Sequence, residues 1–310
     1  MNRFRWLLRR ELWESRVVWM APAVCGLIII ASLLLVAVGI GSMQIDGTDL
    51  DGLQQKLPAG EITSAAGVAL GIVALPFFML MLFTQFFYAL DSLYAERRDR
   101  SILFWKSLPV SDTEVVLSKA ATALVVMPLA AVAAALVTQV VAFLILGAKL
   151  ATLPGLQDLP LHLWQPSTWA GSIAVMTFVV AASALWFLPL VGWLLLVSAW
   201  APRSPFMWAT LPPLAVALVE WILLRTHYVL ATIGPRVGNL GFLARAMGGP
   251  HGVGFGVVVN EQGAHVSHTP YAMMQASGFL ASPDVWIGAV VGAGLLAAAI
   301  WMRRHRDASN

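Results

Sequence analysis

The sequence predicts an all-α, polytopic integral membrane protein: six transmembrane helices behind an N-terminal amphipathic interfacial helix. Three observations carry that reading. Of 310 residues, 59% are hydrophobic and 11% charged, against about half apolar and a quarter charged in a soluble domain, and the mean hydropathy is +0.79. The apolar residues gather in runs long enough to cross a bilayer, which takes about 20 residues of helix. The charges gather between the runs, most densely from Asp91 to Lys119. Charge at that density does not sit in hydrocarbon, so this segment is expected in water.

The elements follow in chain order. Residues 1–16, MNRFRWLLRRELWESR, read as a cytoplasmic amphipathic helix. Phe4, Leu7, Leu8 and Leu12 keep helical spacing, Arg3, Arg9, Arg10 and Glu14 lie off that stripe, and Trp6 and Trp13 suit a membrane interface. Residues 17–310 form the six-span domain. Span 1 is Val17–Ile40, too long for the core of a signal peptide. An acidic loop with Asp46, Asp49, Asp51 and Glu61 leads to span 2, Ala66–Leu90. The charged loop 91–119 follows, then span 3, Ala120–Leu146, which encloses Pro128 and Gln139. Span 4 is Trp169–Val197, with Trp186, Trp193 and Trp200 at seven-residue intervals on one helix face. Span 5, Phe206–Leu224, contains Pro212, Pro213 and Glu220. The outer region 225–283 is too polar and glycine-rich to span, and FGVVVNEQGAHVSH within it reads as a hairpin turning at Asn260–Gly263. Span 6 is Asp284–Met302, with Gly288 and Gly292 spaced for close helix approach.

Charge orients this chain. With both termini inside, only Lys56, Lys149, Arg225, Arg236 and Arg245 of the 19 Lys and Arg fall outside. Lys and Arg in short loops favour the cytoplasmic side, so the majority falls where the bias puts it. The same bias accounts for the net charge of +3 and the pI of 9.3 without nucleic acid as a partner. A single cysteine, Cys25, rules out an intrachain disulfide and reads as a small buried side chain.

Chemistry-bearing motifs are absent. The sequence has no GxxxxGK[ST] phosphate loop, no GxSxG elbow and no HExxH. His251, His265 and His268 lack a supporting cysteine or acidic cluster and do not read as a metal site. The chain is therefore not expected to be an enzyme. Glu220 is the one carboxylate well inside a predicted span, either lining a substrate path or pairing with Arg225 and reaching outward.

The loop is built to be stiff. Leu93–Arg100 extends span 2, SILFWKS from Ser101 to Ser107 makes a short apolar cross-piece, and Pro109 breaks the path. Ser111-Asp112-Thr113-Glu114 is a capping box that starts the next helix at Asp112. The pattern LYAERRDRSILFWKSLPVSDTEVVLSK resembles the first cytoplasmic loop of type-2 ABC exporter permeases. The overall plan resembles that family too: a basic amphipathic start, six spans and a long outer region before the last one. The resemblance implies an export permease in the plasma (inner) membrane of a bacterium, paired with a second permease and docked on two ABC ATPase subunits. Those partners bind the ATP and Mg, this chain holds no cofactor of its own, and membrane lipids surround it. Residues 1–16 would be the elbow helix. The resemblance implies a coupling helix at about Asp99–Ser107, with ATPase-coupling contacts from Glu96, Asp99, Arg100, Ile102, Phe104, Trp105, Lys106 and Pro109. It also implies that the outer region dips back into the membrane. Two other readings remain open: a membrane-embedded transferase using the outer His251, His265, His268 and Glu261, and a scaffold or sensor subunit that docks an ATPase without transporting.

Overall fold

The computed structural model describes residues 3–39, 59–99, 110–152, 160–161, 164–237, 257–260, 263–266 and 276–306. Helix α1, Arg3–Glu14, turns its Leu7 and Glu11 side inward and leaves Trp6 and Trp13 exposed. Helix α2, Val17–Val38, stops at Gly39, which sits at φ 86° and donates its N–H back to Leu35 and Val36. A side chain would be strained in that left-handed stop.

Helix α3 runs from Ala59 to Arg98 and so extends beyond the predicted span at both ends. The next rod has three parts: α4, Asp112–Ala121, a π-helical turn, Thr122–Val126, and α5, Met127–Ala151. The π turn has a local cause. Met127 donates to Thr122, five residues back, and in that register residue 128 would donate to Ala123. Pro128 has no N–H to give. Gln85, buried on α3, fills the gap by donating from Nε2 to the Ala123 carbonyl at 3.0 Å.

The predicted span 4 is two helices, α6, Pro166–Trp186, and α7, Leu188–Trp200, broken at Phe187. Pro189 cannot donate within a continuing helix and is tolerated only in the first turn of a new one. The three tryptophans therefore do not share one continuous face. Trp186 is buried against Phe279, Trp193 donates to the Ala209 carbonyl at 3.0 Å, and Trp200 meets Trp208 edge-on.

Helix α8, Pro205–Leu224, is followed by α9, Tyr228–Val237. Strands β1, Val257–Asn260, and β2, Gly263–Val266, pair antiparallel with Asn260 opposite Gly263, the predicted turn. Helices α10, Ala276–Ala281, and α11, Pro283–Arg306, complete the described chain. Six of the described helices are long and apolar enough to cross a membrane, starting at Val17, Ala69, Asp112, Pro166, Pro205 and Pro283. The body is helical, with the one short hairpin its only sheet among the described residues.

The main core joins α3, α4, α6, α7 and α11 through Leu93, Val116, Trp186, Leu194, Leu195 and Ala299. A second cluster sets Phe77 and Met81 of α3 against Ala131 and Ala135 of α5, with half-buried Cys25 of α2 at its edge. Small residues bring the helices close. A Cβ on Gly292 would fall 2.7 Å from the backbone of Leu188 and Pro189, and one on Gly192 would fall 2.9 Å from the Gly292 carbonyl. Thus α11 crosses the start of α7 almost backbone to backbone. Gly288 has a different reason: a Cβ there would strike the Arg236 guanidinium.

Candidate functional site

Both feet of the charged loop are described, while residues 100–109 are not. Arg100, Ile102, Phe104, Trp105, Lys106 and Pro109 therefore lie outside the described residues. The first foot is the end of α3. Asp99 closes its last turn by donating to the Ala95 carbonyl at 2.9 Å, and its exposed carboxylate takes Arg98 Nε at 3.0 Å. The second foot is the start of α4. The Glu114 N–H donates to Ser111 Oγ at 3.2 Å, and the Ser111 N–H donates back to Glu114 Oε2 at 2.9 Å. This is the capping box expected from Ser111 and Glu114, and it satisfies two backbone donors that a helix start leaves open.

Glu96 does not project into the loop. Its carboxylate turns into the bundle at 4% exposure and is gripped from three helices. Lys119 of α4 reaches Oε1 at 3.1 Å, Arg303 of α11 reaches Oε2 at 2.7 Å, and Arg10 of α1 lies 3.3 Å from Oε1. The network continues outward from there. Lys119, itself 3% exposed, also pairs with Glu11 of α1 at 3.0 Å. Tyr88 donates its hydroxyl to the other Glu11 oxygen at 2.6 Å. Arg303 extends Nε to Asp112 at 2.9 Å. Carboxylates Glu11, Glu96 and Asp112 thus meet cations Arg10, Lys119 and Arg303, and Arg10 also pairs with the exposed Glu14 at 2.9 Å.

Burying so many charges costs several kcal/mol per ion unless each finds a partner, so the network fixes which helices lie together more than it adds net stability. Arg303 holds both feet at once: Glu96 before the loop and Asp112 after it. Its planar guanidinium presents Nε and Nη1 to the two carboxylates in a fixed fork geometry.

Arg97, beside Glu96, points the other way. It donates to the carbonyls of Ser198 and Ala201 at 2.8 and 2.9 Å, closing the end of α7. Ser198 Oγ in turn accepts from the Leu93 and Tyr94 amides at 3.0 and 2.9 Å. The end of α7 is therefore tied to the same stretch of α3.

At the opposite end of the bundle, Glu220 accepts from Thr226 Oγ1 at 2.8 Å and from the amides of Tyr228 and Val229. It thus caps the first turn of α9, while Arg225 stacks over Trp221 instead. Arg236, on the last turn of α9, donates to the Trp186 carbonyl at 2.9 Å and the Asp284 carbonyl at 2.6 Å. Its guanidinium lies 4.7 Å from the centre of the Trp186 ring. Sequence reasoning missed Glu11, Arg303 and Arg236 as site residues. Their signal was a charge on an otherwise apolar helix face, visible only once its partner far along the chain is known.

Residues 62–194 match the family model described as ABC-2 family transporter protein. That segment is similar to the ABC-2 transporter family. It spans α3, both feet of the loop, the π turn and the first half of α7, and leaves α1 and Arg303 outside the match. No match was found among curated proteins or among solved structures. The six long apolar helices fit a multi-pass membrane protein, and the matched segment is similar to the membrane subunits of ABC transporters, a class that associates with ABC ATPases.

Proposed function

We propose that this permease forms the translocation path of an ATP-driven exporter and is moved by separate ATPase subunits seated on the loop between Asp99 and Val110. Two ATPase copies bind ATP and Mg, and a second permease subunit completes the path. The end holding α1, the loop and Arg303 faces the cytoplasm of a bacterium, with α1 lying on the inner membrane surface as the elbow helix. Helix α8, which exposes Leu211, Leu214, Leu218 and Trp221, faces lipid or the second permease. The apolar, aromatic character of the spans favours a lipid, peptide or hydrophobic drug over a small ion. Closure of the ATPases pushes Phe104 and Trp105, and the two feet tilt with them.

The observation that carries this reading is the pairing of both feet through Arg303 inside a chain whose matched segment contains the loop. A loop held at both ends transmits a push; one hinged freely at either end would dissipate it. The test is Phe104→Ala with Trp105→Ala, in complex with the ATPase that co-purifies from native membranes. Stimulation of ATP hydrolysis by the permease is expected to be lost while the protein still inserts and the ATPase keeps its own hydrolysis. Unchanged stimulation would count against the assignment of the loop.

A further inference from the structure

The loop's feet belong to α3 and α4, so a push is first felt there. The contacts lead further, to a third helix. Arg303 is 3% exposed and bonds Glu96 Oε2 at 2.7 Å and Asp112 Oδ1 at 2.9 Å. Neither foot can move without pulling on α11 or breaking a charge pair of the buried Arg303.

The three rods that meet at Arg303 differ in build. Helix α3 has Pro76 inside it, and the α4–α5 rod has the π turn just beyond its foot. Helix α11 has neither from Pro283 to Arg306, a length of about 36 Å at 1.5 Å per residue. Kinks arise at prolines and π turns, and the glycines of α11 at 288 and 292 are packed against Arg236 and the Leu188–Pro189 backbone, so α11 is continuous from the clamp to its far end.

Its far end is also held. Gly292 lies against the backbone of Leu188 and Pro189, where the α6–α7 pair is broken. One turn further out, Gly288 makes room for Arg236, which grips Asp284 of α11 and the Trp186 carbonyl together.

We propose that α11 is the rod that carries movement of the loop's feet to the break at Phe187, with Arg303 the clamp that engages it. The inference rests on the exporter reading above, because it needs the loop to be pushed. Arg303 is a positioning residue here and touches no substrate.

The experiment uses the full permease with its co-purified ATPase in lipid nanodiscs, on a Cys25→Ser background. A bimane fluorophore is attached at Ile287→Cys, exposed near the far end of α11, or at Phe83→Cys, exposed on α3. ATP with vanadate is expected to shift the emission of both in the parent. With Arg303→Gln, the Phe83 site should keep its shift and the Ile287 site should lose it. If the Ile287 site responds as in the parent, the inference is overturned, even if Arg303→Gln melts earlier, since that is all a structural role would do. If neither site responds in the parent, the exporter reading falls and this inference with it. Should Arg303→Gln fail to accumulate, Asp112→Asn removes one arm at a partly exposed carboxylate. A reduced Ile287 response then supports the clamp, and an undiminished one overturns it.

Discussion

At the end of the bundle where the loop attaches, the buried charged side chains hold one another, with Arg97 at the end of α7 the exception. At the opposite end they hold backbone. Glu96, Glu11 and Asp112 pair with Lys119, Arg10 and Arg303 across α1, α3, α4 and α11. Glu220 and Arg236 instead take the amides at the start of α9 and the carbonyls at Trp186 and Asp284. The difference follows from the chain path. At the loop end, regular helices arrive side by side and need only be registered. At the other end the chain turns back, and each turn strands backbone groups that hydrocarbon cannot satisfy. Charge serves as registration in one place and as repair in the other.

The largest test of that contrast is Glu96→Gln. It leaves Lys119 and Arg303 buried against a neutral amide, and breaking a buried pair costs about 3–5 kcal/mol. A pronounced drop in the melting temperature of the purified protein is expected, and a change too small to resolve would show that the network is hydrated.

Glu220→Ala should cost less, because it removes a single acceptor from backbone donors that can turn to water or headgroups. Hydrogen exchange should rise at Tyr228 and Val229 while the Glu96 cluster stays protected. Loss of protection at both ends would mean that the two regions are not separable.

Ser111→Ala is the mildest. Loss of an N-cap costs about 1 kcal/mol, and faster exchange should stay confined to the first turn of α4. If it spread to Lys119, the foot would owe more to its cap than to Arg303.

Much of the fold is legible in the residues. Val17, Pro205 and Pro283 begin helices where apolar runs begin, and Ser111 with Glu114 announces a helix start from four adjacent letters. The pairing of Asn260 with Gly263 is equally local. Less legible is anything that depends on a partner far along the chain. Charge density around Glu96 reads as a water-facing surface, yet its carboxylate is buried, because Arg303 lies 207 residues away in sequence and Lys119 meets Glu11 across 108. The break at Phe187 was masked for a different reason. Pro189 sits in a run so apolar that hydropathy reads straight through it, and only the missing donor reveals the end of α6. Gly288 and Gly292 look like one motif, but one faces a helix backbone and the other a guanidinium.

The π turn at Thr122–Val126 has a consequence for how the two halves of its rod are phased. An α-helix advances about 100° per residue, so the extra residue in that turn sets the angle between the face carrying Lys119 and the face carrying Ala131 and Ala135. With one residue fewer, seating the alanines on Phe77 would swing Lys119 roughly a quarter-turn away from Glu11 and Glu96. The proline that creates the irregularity is thus what lets a greasy upper half and an ionic lower half dock at once.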